Sequence, residues 1–152
     1  MKLWLLFVVL TLVCWGCYVP MLHQGQSAFG GKSSALKAFL FVGLAYFLVS
    51  LGVLGYLMWA QAEPLEFARR GMSLSTLAGF LGAAGALGIV FALKYGGKPI
   101  FVAPLVFSGA PIVNTLVTMA WHKPAKPPGI LFFAGILLVG LGAGLVLRFK
   151  PS

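Results

Sequence analysis

The chain has 152 residues, 61% of them hydrophobic and 9% charged, with eleven Lys and Arg against two acidic residues. Soluble domains carry roughly a quarter of their residues as charged groups, so a mean hydropathy of +1.02 excludes an ordinary globular protein. A formal charge of +9 on a soluble domain would suggest nucleic acid, but here the cations flank apolar runs, where they face the headgroups of membrane lipid, and no nucleic-acid partner is expected.

A hydrocarbon core of about 30 Å takes about 20 helical residues to cross. Five segments qualify, near residues 3–22, 36–60, 74–95, 99–121 and 129–147. None shows the period-two alternation of barrel strands. The fold class is therefore an all-α integral membrane protein, a bundle of five transmembrane helices in a single membrane domain spanning residues 1–152. In lipid, polar side chains turn towards protein or a water-filled cavity, so their angular positions map the interior.

The first segment carries no small-residue cleavage pattern and is expected to be a retained helix. Thr11, Cys14, Trp15 and Tyr18 are spaced i, i+3, i+4, i+7 and share one face. Cys14 and Cys17 have the spacing of a redox or zinc pair, but no second pair exists to complete a metal site, and they are expected to be small buried thiols. Pro20 and His23 mark the expected end of this helix. The stretch from Gly25 to Ser34 then contains Gly31-Lys32-Ser33, the end of a phosphate-binding loop. Such a loop needs its first glycine at position 26, which is Gln26, and it joins a strand to a helix, so a small-residue turn between two helices is expected instead.

The second segment repeats helical spacing with Gly43, Tyr46 and Ser50. Glu63, Glu66, Arg69 and Arg70 follow in one connection, where salt bridging at the headgroups would explain them. The third segment carries Gly79, Gly82, Gly85 and Gly88, small residues that let helix backbones approach closely. Each three-residue step drifts about 60°, so this helix is expected to be crowded on more than one side. In the fourth, Ser108, Pro111, Asn114, Thr115 and Thr118 fall within an arc of about 120°. Pro104 and Pro111 each remove a helical donor, freeing the carbonyls of Ile100 and Phe107, so a kink or hinge is expected there. On the fifth, Gly140 and Gly144 form a Gly-x-x-x-Gly pair that suits a contact either between subunits or within one.

No span has a carboxylate near its centre, which argues against proton-coupled export of lipophilic cations. There is no Ser-His-Asp set, paired-carboxylate site or metal cluster, and His23 and His122 are single imidazoles at membrane boundaries. An enzyme is not expected, nor a cofactor or a bound metal.

The order of short motifs resembles the EamA-like domain of the drug/metabolite transporter superfamily over nearly the whole chain. The matching stretches are Trp15-Gly16, Tyr95-Gly96-Gly97-Lys98-Pro99, Ala103-Pro104-Leu105, Pro111, and Pro127-Pro128-Gly129 leading into the glycine-rich fifth helix. The sequence departs from the pattern after the fourth helix, where relatives often have Gly-Glu and this chain has Trp121-His122-Lys123-Pro124. The resemblance implies one five-helix repeat of proteins that usually hold two such repeats in inverted topology around a central site, so a partner is implied.

Together these readings predict a small-solute transporter in the cell (inner) membrane, multi-pass, with a cavity lined by Trp15, Tyr18, Tyr46, Ser50, Ser108, Asn114 and Thr118. Aromatic, hydroxyl and amide groups suit a neutral or anionic polar metabolite. The alternative is a non-transporting membrane subunit that packs against or regulates another membrane protein. Five crossings place the termini on opposite sides, and the Lys and Arg divide five to one side (Lys2, Arg69, Arg70, Lys123, Lys126) and six to the other (Lys32, Lys37, Lys94, Lys98, Arg148, Lys150). That near balance selects no orientation. It predicts insertion both ways and an antiparallel homodimer, with a parallel homodimer and a heterodimer as rivals.

Overall fold

The computed structural model describes residues 3–61, 66–121 and 128–150. Lys2, Glu63, His122, Lys123, Lys126 and Pro127 lie outside the described residues. Five α-helices follow in order: α1 (Leu3–Phe29), α2 (Ser34–Ala60), α3 (Arg69–Lys94), α4 (Pro99–Trp121) and α5 (Ile130–Arg148). All five are long and apolar enough to cross a membrane, and the described residues contain no strand.

The chief difference from the sequence reading is the length of α1. It does not end near Leu22 but continues through Pro20 and His23 to Phe29. A proline removes one intrahelical hydrogen bond, and membrane helices tolerate that loss where neighbouring groups satisfy the freed carbonyl. Beyond Pro20 the residues Met21, Leu22, Gln24, Gln26 and Ala28 are good helix formers. The Ser27 hydroxyl donates to the His23 carbonyl at 3.0 Å, so its polarity is absorbed inside the helix rather than breaking it.

What stops α1 is Gly30. Its φ is 58°, and its N–H donates to the Gln26 carbonyl at 3.3 Å. This is a left-handed helix cap, a conformation that glycine adopts without the steric cost met by other residues. Gly31, at φ 74°, completes the reversal into α2. Gly25 to Phe29 are helical, so the segment before Gly31-Lys32-Ser33 is not a phosphate-binding loop. The turn between two helices is confined to residues 30–33.

α3 likewise starts at Arg69 rather than near Leu74, drawing Arg69 and Arg70 out of the connection and into its first turn. No ion pair joins Glu66 to either arginine among the described residues, so the expected salt bridging is not seen for Glu66.

The chain divides into two compact units, Met1–Pro20 with Gly97–Ser152, and Met21–Gly96. In the first, α4 and α5 pack together. The less exposed residues of α5, Ile136, Gly140, Ala143 and Val146, are spaced i, i+4, i+7, i+10 and form one face. A Cβ on Gly140 would stand 3.6 Å from the Ile112 side chain of α4, whereas Gly144 has nothing within 4 Å. The Gly140 face thus serves packing within the chain.

In the second unit α2 packs with α3, and the buried residues of α3 (Ile89, Val90, Leu93) all lie in its last two turns. A Cβ added at Gly79, Gly82, Gly85 or Gly88 would meet nothing within 4 Å. Among the described residues of this chain the expected crowding of α3 on more than one side is not seen, and its buried positions concentrate at its C-terminal end. Apolar side chains remain widely exposed, for example Leu40 at 70%, Phe80 at 70% and Ile130 at 84%. Lipid tails are as apolar as leucine, so such surface is stable only in hydrocarbon or against other helices.

Candidate functional site

The strongest constellation lies in the first unit, on α1 and α4. Trp15 and Tyr18 are one turn apart on α1, with ring centroids 6.4 Å apart. The Trp15 ring meets Phe107 of α4 edge-on, at 5.7 Å and 67°, an arrangement that places the positive ring edge against the negative face. Trp15 remains 48% exposed, so one side of the cluster is open. Phe107 carries no polar signal, and sequence reasoning passed over it.

Phe107 also fixes which face of α4 matters. Phe107, Pro111, Asn114 and Thr118 are spaced i, i+4, i+7, i+11, a stripe about 16 Å long on a single helix face. The face that meets Trp15 is thus the face that carries Asn114. Pro111 has no N–H to offer the Phe107 carbonyl one turn back, so a backbone acceptor lies on the same stripe. The helix is continuous through Pro104 and Pro111. The Ser108 hydroxyl, at the edge of this face, donates to the Pro104 carbonyl at 2.6 Å, with the Leu105 carbonyl 3.2 Å away. Its proton is committed within the helix, and its oxygen can still accept.

Asn114 differs from Ser108. It is exposed and makes no hydrogen bond with the described residues. Its amide offers two donors and an acceptor, and an unsatisfied amide in an apolar medium costs about 2–7 kcal/mol. Thr118, one turn further, is also exposed.

The remaining expected residues are not on this stripe. Tyr46 and Ser50 lie on α2, in the second unit, both exposed; the Ser50 hydroxyl donates to the Phe47 carbonyl at 2.7 Å. Thr11 similarly donates to Phe7 at 2.8 Å. Cys14 and Cys17 are exposed free thiols rather than buried ones, as is every residue of α1 from Leu6 to Cys17. Among the described residues no three His, Cys, Asp or Glu side chains gather as metal ligands.

Sequence reasoning also missed Gln26. It is 6% exposed, and its Nε2 donates to the backbone carbonyl of Val90 at 3.2 Å, joining the end of α1 to the end of α3. Carrying the helical period past Pro20 would have found it, because Val19, Leu22 and Gln26 are spaced i, i+3, i+7.

Comparison with known proteins gives no match: no family model, curated protein or solved structure matches this chain.

Proposed function

We propose that this chain is a small-solute transporter of the drug/metabolite type, working as a dimer of five-helix halves in the cell (inner) membrane. The observation that carries the reading is Asn114, an amide without a partner on the α4 face that also bears Phe107, Pro111 and Thr118 and meets Trp15. A polar group on a membrane helix turns towards protein, water or a ligand, and the described chain supplies no partner. A solute with ring or apolar faces and hydrogen-bonding edges fits this combination: it would stack on Trp15 and Tyr18, bond to the Asn114 amide, and donate to the carbonyl freed by Pro111. Neutral and anionic polar metabolites meet that requirement, and a strongly cationic one does not, for lack of a carboxylate in any span.

The motif order shared with EamA-like domains supports the assignment to a single repeat, and the near-balanced Lys and Arg support an antiparallel homodimer in which a second copy supplies the other half of the cavity. Pro104 and Pro111 would then act as hinge positions when the cavity alternates its access. A thermal-shift screen of neutral and anionic polar solutes in detergent tests the binding step. The expected result is a solute that raises the melting temperature of the wild type and not that of Asn114→Leu. Solutes that stabilise both proteins equally would remove Asn114 from the site.

A further inference from the structure

One end of the second unit gathers positive charge with no carboxylate among the described residues to meet it. The Gln26–Val90 hydrogen bond brings the end of α1 beside the end of α3, and the short turn at residues 30–33 brings α2 to the same place. Three exposed lysines stand there: Lys32 in the turn, Lys37 in the first turn of α2 and Lys94 in the last turn of α3. The Lys94 ammonium lies 5.6 Å from the Tyr95 ring centroid and 5.9 Å from that of Phe91, held against aromatic faces rather than an acidic partner. Glu66 precedes α3 by three residues, and Glu63 stands three residues earlier in the sequence. A helix of 26 residues spans about 39 Å, several times the screening length of about 8 Å at physiological salt. Glu66, the one carboxylate among the described residues, therefore does not neutralise these lysines.

The surface next to the lysines is apolar. Leu36, Leu40 and Phe41 on α2 are 46%, 70% and 59% exposed, and Phe41 stacks on Phe29 of α1 at 5.5 Å. An occupant must present an anion at the helix ends and hydrocarbon along the helices below. We propose that this end of the unit is a binding surface for anionic phospholipid, with Lys32, Lys37 and Lys94 holding the headgroup phosphate and the exposed Leu36, Leu40 and Phe41 receiving the acyl chains. The lysine stems run along the apolar surface while their ammonium groups reach the headgroup plane. The surface rests on the membrane-spanning reading of the helices and is independent of transport. Arg69 and Arg70, which open α3 at the opposite end of the helix from Lys94, provide the internal contrast.

The test is native mass spectrometry of the whole chain in mixed micelles containing equal phosphatidylglycerol and phosphatidylcholine. A lysine near an anionic surface contributes about fivefold in affinity, so the wild type is expected to prefer phosphatidylglycerol on the order of a hundredfold, weakening in 0.5 M salt. Lys32→Gln/Lys37→Gln/Lys94→Gln should lose that preference, Lys→Arg at the same positions should keep it, and Arg69→Gln/Arg70→Gln should leave it unchanged. If the triple glutamine variant fails to fold, as judged by circular dichroism, the single variants decide, each expected to lose about fivefold. Equal binding of the two lipids, or a preference that survives the lysine changes, would overturn the proposal. So would full competition by 10 mM inorganic phosphate, which would assign the lysines to a free anion.

Discussion

Replacing Gly25 and Gly30 separately by alanine should have opposite effects, although the two glycines stand five residues apart in one polar stretch. Gly25 lies inside α1, and a Cβ there meets nothing within 4 Å. Alanine in a helix interior is favoured over glycine by about 0.5–1 kcal/mol, so Gly25→Ala should stabilise by that amount. Gly30 sits at φ 58° with open space around it. The loss there comes from the backbone alone, since a left-handed conformation costs an L-residue about 1–2 kcal/mol. The stiffer unfolded chain returns about 0.4–1 kcal/mol of this, leaving Gly30→Ala destabilised by about 1 kcal/mol. The two variants should differ by about 1.5–2 kcal/mol, well above the scatter of a reversible unfolding titration followed by circular dichroism in mixed detergent micelles. A stabilised Gly30→Ala with a destabilised Gly25→Ala would place the helix end before Gly25 and refute the extension of α1 through Pro20.

Other outcomes follow from the same contacts. Gln26→Ala, read in the same titration, should lose about 1 kcal/mol through the missing bond to Val90 and the space left behind, whereas Gln26→Leu should lose less because the apolar replacement fills the site. Gly140→Leu should destabilise by about 1–3 kcal/mol, as overpacking against Ile112 does, and Gly144→Leu should be tolerated; equal losses would mean that α5 does not meet α4 on the Gly140 face. Single cysteines placed near both termini, in a background lacking Cys14 and Cys17, should each label partially from one side of intact cells if the chain inserts both ways, and labelling of only one terminus across the population would exclude dual insertion.

Five apolar runs of spanning length were legible in the sequence because the bilayer sets a length that composition alone can meet. The ends of α1 and α3 were not. Pro20, His23 and Gly25 look like terminators in water, but the helix passes all three, and only Gly30, which adopts a left-handed φ, stops it. Within the candidate site, Trp15, Tyr18, Asn114 and Thr118 were legible from polarity and spacing. Phe107 was not, since a phenylalanine in an apolar helix looks the same whether it faces lipid or another ring. The glycines of α3 and α5 resemble one another in sequence, yet among the described residues only Gly140 has a neighbour close to its missing side chain. Composition records that close approach is permitted there, and only the packing of α4 on α5 determines where it occurs.

The most direct test of transport is solute flux into proteoliposomes holding the purified chain, screened across neutral and anionic polar metabolites with the wild type and Asn114→Leu in parallel. The account predicts saturable, protein-dependent flux of at least one such solute. It also predicts that Asn114→Leu, folded to the same helicity, lowers that flux by about tenfold, the upper end for one neutral hydrogen bond. Flux that the substitution leaves unchanged would contradict the Asn114 site. No flux for any solute from well-folded protein would contradict transport itself and favour the non-transporting membrane subunit.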